Sequence, residues 1–350
     1  MKLIKELKNL VVLEEFLTLR ESMEVIDRGA LQIAMVLDPD GNLVGILTDG
    51  DVRRALLLGS SLEDSASNVI NRSPICIAEN SQESTMSVAT KYGLNQVILG
   101  KIGLPPVGIF VTSAGSKVLT MPPALVMAGG KGIRLRPVTK HTPKPLVEVA
   151  GTPVLHRVLK SLSESGFTKV FISVNYLADQ IENSIGDGGD FGLEVEYVHE
   201  EEAMGTAGSI GLIPNFKKIE EILVMNADLV ADIDFPGLVA EHKNAKNDFT
   251  VLVRENITQV PFGVIRMANG VVGGVQEKPS YSDLVSAGVY CISNSVTALI
   301  SASPLDMPAL INTAISNGRR VGAYPMHRSW IDIGSREDLD RANLLLSGES

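Results

Sequence analysis

The chain has 350 residues, 45% of them apolar, which is enough to fill two cores and too apolar for a disordered segment. Its net charge of −10 excludes a general nucleic-acid surface, because binding a phosphate backbone needs a clustered excess of Lys and Arg. Cys76 and Cys291 stand far apart inside apolar runs, which predicts buried free thiols and a reducing compartment, and no run approaches the ~18 apolar residues of a membrane span. The first residues, Met1-Lys2-Leu3-Ile4-Lys5-Glu6, do not open a signal-peptide core, so a cytoplasmic protein with no membrane partner is expected.

Residues 1–120 carry a weak internal repeat. Its first copy predicts a helix over 22–28, an alternating strand over 33–37 and a turn at Asp38-Pro39-Asp40-Gly41-Asn42. A strand from Leu43 follows, then a helix opened by Thr48 and Asp49 as capping residues. The second copy predicts strands at 75–77 and 96–99 around a helix over 83–92, and ends in Gly108-Ile109-Phe110-Val111-Thr112-Ser113-Ala114-Gly115. There the two carboxylates of Thr48-Asp49-Gly50-Asp51 have no counterpart. The repeat resembles a pair of CBS motifs with a degenerate second copy. That resemblance implies contacts from Thr48, Asp49 and Asp51 to the ribose and phosphates of an adenine nucleotide; the plain alternative is that these three only cap their helix. CBS pairs associate with one another, so a homo-oligomer is expected.

Thr120-Met121-Pro122-Pro123 marks a join, since consecutive prolines stop both helix and sheet, and a second domain is expected over 121–350. Its predicted elements alternate: a strand at 125–127, a helix from Thr152, a strand at 170–174, a helix from Ala178, a strand at 195–198, a helix from Thr206 and a strand at 222–225. Such alternation implies an α/β fold, a mostly parallel sheet with helices on both faces, and ligands at the carboxyl ends of its strands.

The chemistry concentrates after the first of these strands, in Ala128-Gly129-Gly130-Lys131-Gly132-Ile133-Arg134-Leu135-Arg136-Pro137 and Thr142-Pro143-Lys144-Pro145. Glycines at 129, 130 and 132 let the main-chain N–H groups of this loop, from Ala128 onward, approach a phosphate, and Arg134 and Lys144 supply counter-charge. The pattern is neither a Walker A loop nor the dinucleotide Gly-x-Gly-x-x-Gly turn. At the end of a later strand, Asn226-Ala227-Asp228 puts a carboxylate on the same sheet edge, and Asp332 of Trp330-Ile331-Asp332-Ile333-Gly334 stands among apolar residues where a charge needs a partner. Two carboxylates with phosphate oxygens and water would satisfy Mg²⁺. His141, His156, His199, His242 and His327 show no zinc spacing and are expected on helices or surface loops.

The glycine loop with its Arg-Leu-x-Pro and Pro-Lys-Pro segments resembles that of the sugar-1-phosphate nucleotidylyltransferases, which have a Rossmann-like nucleotidyltransferase fold. The resemblance implies Arg134, Lys144 and Lys278 as catalytic groups and Asp228 and Asp332 as holders of Mg²⁺. It further implies sugar contacts from Glu277 and the Gly263 main chain, and a base site in residues 200–208 around Gly205. Ile133 departs from the Thr common at its place. The implied substrates are a nucleoside triphosphate and a sugar 1-phosphate. A CBS fusion of this kind resembles bacterial guanylyltransferases that make GDP-glucosamine for legionaminic acid synthesis, and the catalytic half also resembles mannose-1-phosphate guanylyltransferases. GTP with glucosamine 1-phosphate is therefore the expected pair, with mannose 1-phosphate, or UTP, dTTP or CTP, as alternatives. A nucleotide-sugar-sensing regulatory subunit is the non-enzymatic one.

Overall fold

The computed structural model describes residues 2–13, 17–29, 31–77, 85, 87–89, 91, 94, 96–111, 120–301, 303–326 and 329–347. The chain divides into two compact units, Met1–Leu119 and Thr120–Ser350. No helix among the described residues is long and apolar enough to cross a membrane.

Among the described residues the first unit holds two sheets. β1 (Lys2–Ile4), β5 (Cys76–Ile77), β6 (Gln96–Leu99) and β7 (Gly108–Val111) form one, in the order β1-β7-β6-β5. β2 (Val11–Leu13), β3 (Ile33–Leu37) and β4 (Leu43–Thr48) form the other. β1 pairs antiparallel with β7, so the first strand of the chain completes the sheet of the second copy. α1 (Leu19–Gly29) buries Leu19, Met23 and Ile26 in one cluster with Ala34 and Val36 of β3, the period of a helix meeting the period of a strand. α2 (Asp49–Leu57) begins in a capping box: the Asp51 N–H donates to Thr48 Oγ1 (3.2 Å) and the Thr48 N–H donates to the Asp51 carboxylate (2.9 Å). Cys76 is only half-buried, short of the burial its apolar neighbours suggest, whereas Cys291 is buried; both are free thiols. The helix expected over 83–92 lies largely outside the described residues, as do residues 112–115.

The second unit is built on a seven-stranded sheet in the order β12-β11-β8-β13-β18-β15-β19. These strands are β8 (Ala124–Met127), β11 (Lys169–Val174), β12 (Glu194–His199), β13 (Glu221–Asn226), β15 (Phe249–Gln259), β18 (Ser280–Ser293) and β19 (Val321–Met326). β12, β11, β8 and β13 run parallel to one another and β15 runs parallel to β19, whereas β18 is antiparallel to both β13 and β15. The apolar run Ala124-Leu125-Val126 is fully buried at the centre, as a strand flanked on both edges must be. Because the first four strands share one direction, their carboxyl ends open on one edge of the sheet.

Smaller pairs decorate that edge. β9 (Glu148–Val149) and β10 (Thr152–Pro153) form a hairpin around Ala150 and Gly151, both at positive φ, and β14 (Leu229–Ala231) pairs with β20 (Trp330–Asp332). β16 (Val264–Ala268) and β17 (Val271–Gln276) form another hairpin. Two expected helices start differently. Thr152 belongs to β10, and α3 (Val154–Glu164) begins after Pro153, whose fixed φ suits the position before a helix. The helix expected from Thr206 is one turn, Gly205–Gly208, followed by a 3₁₀ turn, because glycines at 205, 208 and 211 weaken helical continuation.

The histidines are only partly where the sequence suggests. His156 lies on α3, edge-on to Phe191 and bonded to Ser184 Oγ. His199 ends β12 and so stands on a strand, and His327 lies outside the described residues. His242 is in a helix, Phe235–Asn244, but is buried, its ring nitrogens 2.8 Å from Thr250 Oγ1 and 2.9 Å from Ser293 Oγ. Burial holds its pKa below the ordinary 6.5, outweighing the upward pull of Glu221 and Asp248; Lys243 adds to the lowering. The unfolded chain therefore takes up a proton at pH values where the fold does not, and stability present above about pH 6.5 is lost as pH falls below it. Urea unfolding followed through the single tryptophan, Trp330, should show a lower midpoint at pH 5.5 than at pH 7.5. His242→Gln should narrow that difference, and an unchanged difference would exclude His242 as its source.

Candidate active site

The phosphate loop is shaped by what surrounds its glycines. The Ala128 N–H donates to the Ser173 carbonyl (2.9 Å), extending β8 by one residue before the chain turns, so this amide, expected to face a phosphate, is taken up by the sheet instead. A methyl group at Gly129 would lie 3.2 Å from Glu200 Oε1, so the loop passes close beneath the residue following β12. Gly132 adopts the left-handed conformation (φ 57°, ψ 36°), and a Cβ there would meet Lys144 Cβ and Thr139 Cγ2 at 3.0 Å each. Thr139, buried, donates its hydroxyl to the Gly132 carbonyl at 2.6 Å and fixes the loop from below. The 3₁₀ turn Ile133–Leu135 then anchors Leu135 in the core and leaves Arg134 exposed; its guanidinium lies 3.5 Å from where a Cβ on Gly334 would sit.

Asp228 and Asp332 come together because β14 and β20 pair with Leu229 opposite Asp332, while the Ile333 N–H donates to the Asp228 carbonyl at 3.0 Å. Lys144 lies between them: its ammonium donates to Asp228 Oδ2 and stands 3.8 Å from Asp332 Oδ1. The Oδ1 atoms of Asp228 and Asp332 are buried and lack hydrogen-bond partners. The carboxyl of Asp332 is pushed above its ordinary pKa, first by burial and then by the charge of Asp228, with Lys144 and Arg134 pulling the other way. β20 is held by Trp330, whose indole N–H donates to the Ala287 carbonyl (3.0 Å) and whose ring lies 4.7 Å below the Arg254 guanidinium.

Two carboxylates with orphaned buried oxygens form a donor set that fits a hard divalent cation. Among the described residues no group of three or more His, Cys, Asp and Glu is gathered, so the remaining ligands of such a cation would be phosphate oxygens and water.

A cavity of about 290 Å³ is lined by the loop from Gly130 to Arg134 together with Lys144, Asp228 and Gly334, so the glycines, three cationic residues (Lys131, Arg134 and Lys144) and one carboxylate face one space. Gly263, Glu277 and Lys278 do not line it. They sit at the base of the β16–β17 hairpin, where a Cβ on Gly263 would be 3.1 Å from Glu277 Oε2 and Lys278 is exposed at φ 43°. Gly205 (φ 72°) has a packing reason of its own, since a Cβ there would lie 2.7 Å from the Leu305 carbonyl oxygen. In the first unit, Asp49 is paired with Arg53 and Asp51 with Arg54, and with the capping box these contacts account for Thr48, Asp49 and Asp51 by themselves. Sequence reasoning missed Thr139, which nothing marks except its nearness to the loop, and the approach of Glu200 to Gly129.

A family model described as Nucleotidyl transferase matches residues 123–348, and a CBS domain model matches residues 4–58. The mannose-1-phosphate guanylyltransferase catalytic subunit beta of Drosophila pseudoobscura pseudoobscura is 33% identical over 221 residues, covering 61% of this chain and 60% of that protein. The mannose-1-phosphate guanyltransferase beta-A of Xenopus laevis is 30% identical over 222 residues, covering 61% and 62%. The chain thus spans about 60% of the length of these curated relatives. Among solved structures, a candidate glucose-1-phosphate thymidylyltransferase from Bacillus anthracis, in complex with sucrose, aligns with TM-score 0.52 and 26% identity over 64% of this chain and 94% of that one. HddC from Yersinia pseudotuberculosis, complexed with GMP-PN, shares the fold at TM-score 0.52 and 22% identity, over 65% of this chain and 100% of that one. With the matched model covering more than half of its residues and a CBS domain ahead of it, the chain belongs to the nucleotidyl transferase family.

Proposed function

We propose that this protein transfers a nucleoside monophosphate from a nucleoside triphosphate, GTP by preference, to a sugar 1-phosphate and releases pyrophosphate. The observation that carries the reading is the convergence of Arg134, Lys144, Asp228 and Asp332 on the glycine loop at the carboxyl edge of the sheet. In this reaction an oxygen of the sugar phosphate bonds to the α-phosphorus as the bond to the pyrophosphate oxygen breaks. A phosphomonoester carries ~1.5 to 2 negative charges at neutral pH and needs no base to attack, so the protein has chiefly to align two anions and offset their repulsion. The loop amides from Gly129 to Gly132 and the Arg134 guanidinium hold the β- and γ-phosphates, and Lys144 offsets charge beside them. Lys278 reaches the sugar phosphate from its turn, Glu277 and the Gly263 main chain take sugar hydroxyls, and residues 200–208, with Gly205, take the base. Asp228 and Asp332 would hold Mg²⁺, which when bound neutralises charge between the α-phosphate and the incoming phosphate.

Guanine is supported by the names of the relatives at 30–33% identity. The CBS fusion favours glucosamine 1-phosphate as acceptor, and those same names favour mannose 1-phosphate as the second reading. The test is pyrophosphate release by purified protein with MgCl₂ across GTP, CTP, UTP and dTTP paired with glucosamine, N-acetylglucosamine, mannose and glucose 1-phosphates. GTP with glucosamine 1-phosphate as the best pair supports the whole reading. Another best pair keeps the reaction and replaces the substrate, and no product with folded protein favours a sensor.

A further inference from the structure

We propose that Lys144 is a displaceable counter-ion: its ammonium occupies the cation position between Asp228 and Asp332 and moves to the phosphates when a nucleoside triphosphate binds. The carboxylates are thereby opened to a divalent cation, so nucleotide and cation bind with positive cooperativity. This rests on the reading of Asp228 and Asp332 as the holders of the cation.

The geometry supplies each part of the device. The Lys144 ammonium touches Asp228 Oδ2 and lies 3.8 Å from Asp332 Oδ1, with its side chain only 13% exposed. One ammonium cannot serve every oxygen of two carboxylates, and the Oδ1 atoms of both remain buried without hydrogen bonds. A divalent cation drawn to these oxygens would stand near the ammonium, since Asp332 Oδ1 is 3.8 Å from it, and two positive charges at such range repel. Movement of Lys144 to the phosphates removes that repulsion.

Only its side chain is free to do so. Lys144 stands between Pro143 and Pro145 in a 3₁₀ turn closed by the Leu146 N–H to Pro143 carbonyl (2.9 Å) and Val147 N–H to Lys144 carbonyl (3.1 Å) bonds, which hold its Cα in place. Its Cβ packs against Gly132, so the flexible four-carbon stem starts beside the phosphate loop and its tip ends on the carboxylates. The same side chain thus lines the cavity that holds Arg134 and the loop glycines. A triphosphate there offers the ammonium a second set of anionic oxygens within the swing of its rotamers. Reciprocity then requires that nucleotide tighten cation binding by the factor by which the cation tightens nucleotide binding.

The experiment is Mn²⁺ binding to the full chain, read by electron paramagnetic resonance of free Mn²⁺. It is run with and without α,β-methylene-GTP, corrected for the metal bound by the analogue in solution, on wild type, Lys144→Met, Lys144→Gln and Asp228→Asn. Without nucleotide, K144M is expected to bind Mn²⁺ at least about fivefold more tightly than wild type, the lower end of typical coupling factors, and this gain should fall below about twofold once the analogue is bound. K144Q should behave likewise, and serves if melting followed through Trp330 shows K144M to be unfolded. An equal gain with and without analogue would mean that Lys144 acts only as a fixed nearby charge and would overturn the proposal, as would no gain at all. Mn²⁺ affinity unaltered by D228N would instead remove the cation site itself, and the proposal with it, so the two failures are told apart.

Discussion

Replacing Asp228 with asparagine is expected to lower kcat/KM for nucleotide-sugar formation by roughly a hundred- to a thousandfold, the range for removing one preorganised electrostatic contact. Asparagine keeps the shape at the end of β13 but removes the charge that now draws Lys144 and that, in the proposed reaction, shares a divalent cation with Asp332. The loss should be partly recovered at high MgCl₂, because one carboxylate, Asp332, remains. Circular dichroism should show an unchanged fold, since the Leu229–Asp332 ladder and the Asp228 carbonyl bond are made by main chain. Rates measured across a magnesium titration check this, and a loss below about tenfold would exclude Asp228 from the reacting centre.

Arg134→Ala carries the second large expectation, a fall in kcat/KM of about 10² to 10³ with no measurable change in melting temperature. Arg134 is exposed at the phosphate cavity with its guanidinium beside Gly334, so deleting it uncovers no core. Arg134→Lys should recover only part of the loss, because a single ammonium cannot reproduce the fork that matches two phosphate oxygens. Steady-state kinetics with unfolding monitored at Trp330 separates the two effects, and near-normal turnover of R134A would remove its assigned role.

Much of the site was legible because its chemistry lies in short contiguous segments. The glycine loop, Arg134 and Lys144 fall within residues 128–144, after a strand whose apolar run marks it as central. Asp228 follows the next parallel strand for the same reason, since parallel strands end on one edge. Its meeting with Asp332 was harder to read: the motif suggests both, but only the β14–β20 ladder juxtaposes them. The antiparallel course of β18 between β13 and β15, and the pairing of β1 with β7, depend on long-range registry that local periodicity does not encode. Thr139 escaped notice because a threonine in a loop carries no signal until the Gly132 carbonyl is seen above it. In the first unit, Thr48, Asp49 and Asp51 read in the sequence either as ligand contacts or as a helix cap, and the structure shows the capping box together with ion pairs to Arg53 and Arg54.

Nucleotidyl transfer to a sugar phosphate is tested most sharply by following the α-phosphorus itself. Purified protein is incubated with MgCl₂, α-³²P-labelled GTP and, in turn, glucosamine 1-phosphate and mannose 1-phosphate, with pyrophosphate quantified beside the labelled products. One pyrophosphate is expected for each labelled nucleotide sugar, and neither product when the sugar phosphate is left out. Folded protein that binds the triphosphate but passes no label to any sugar phosphate, with any of the four bases, would contradict such a transfer.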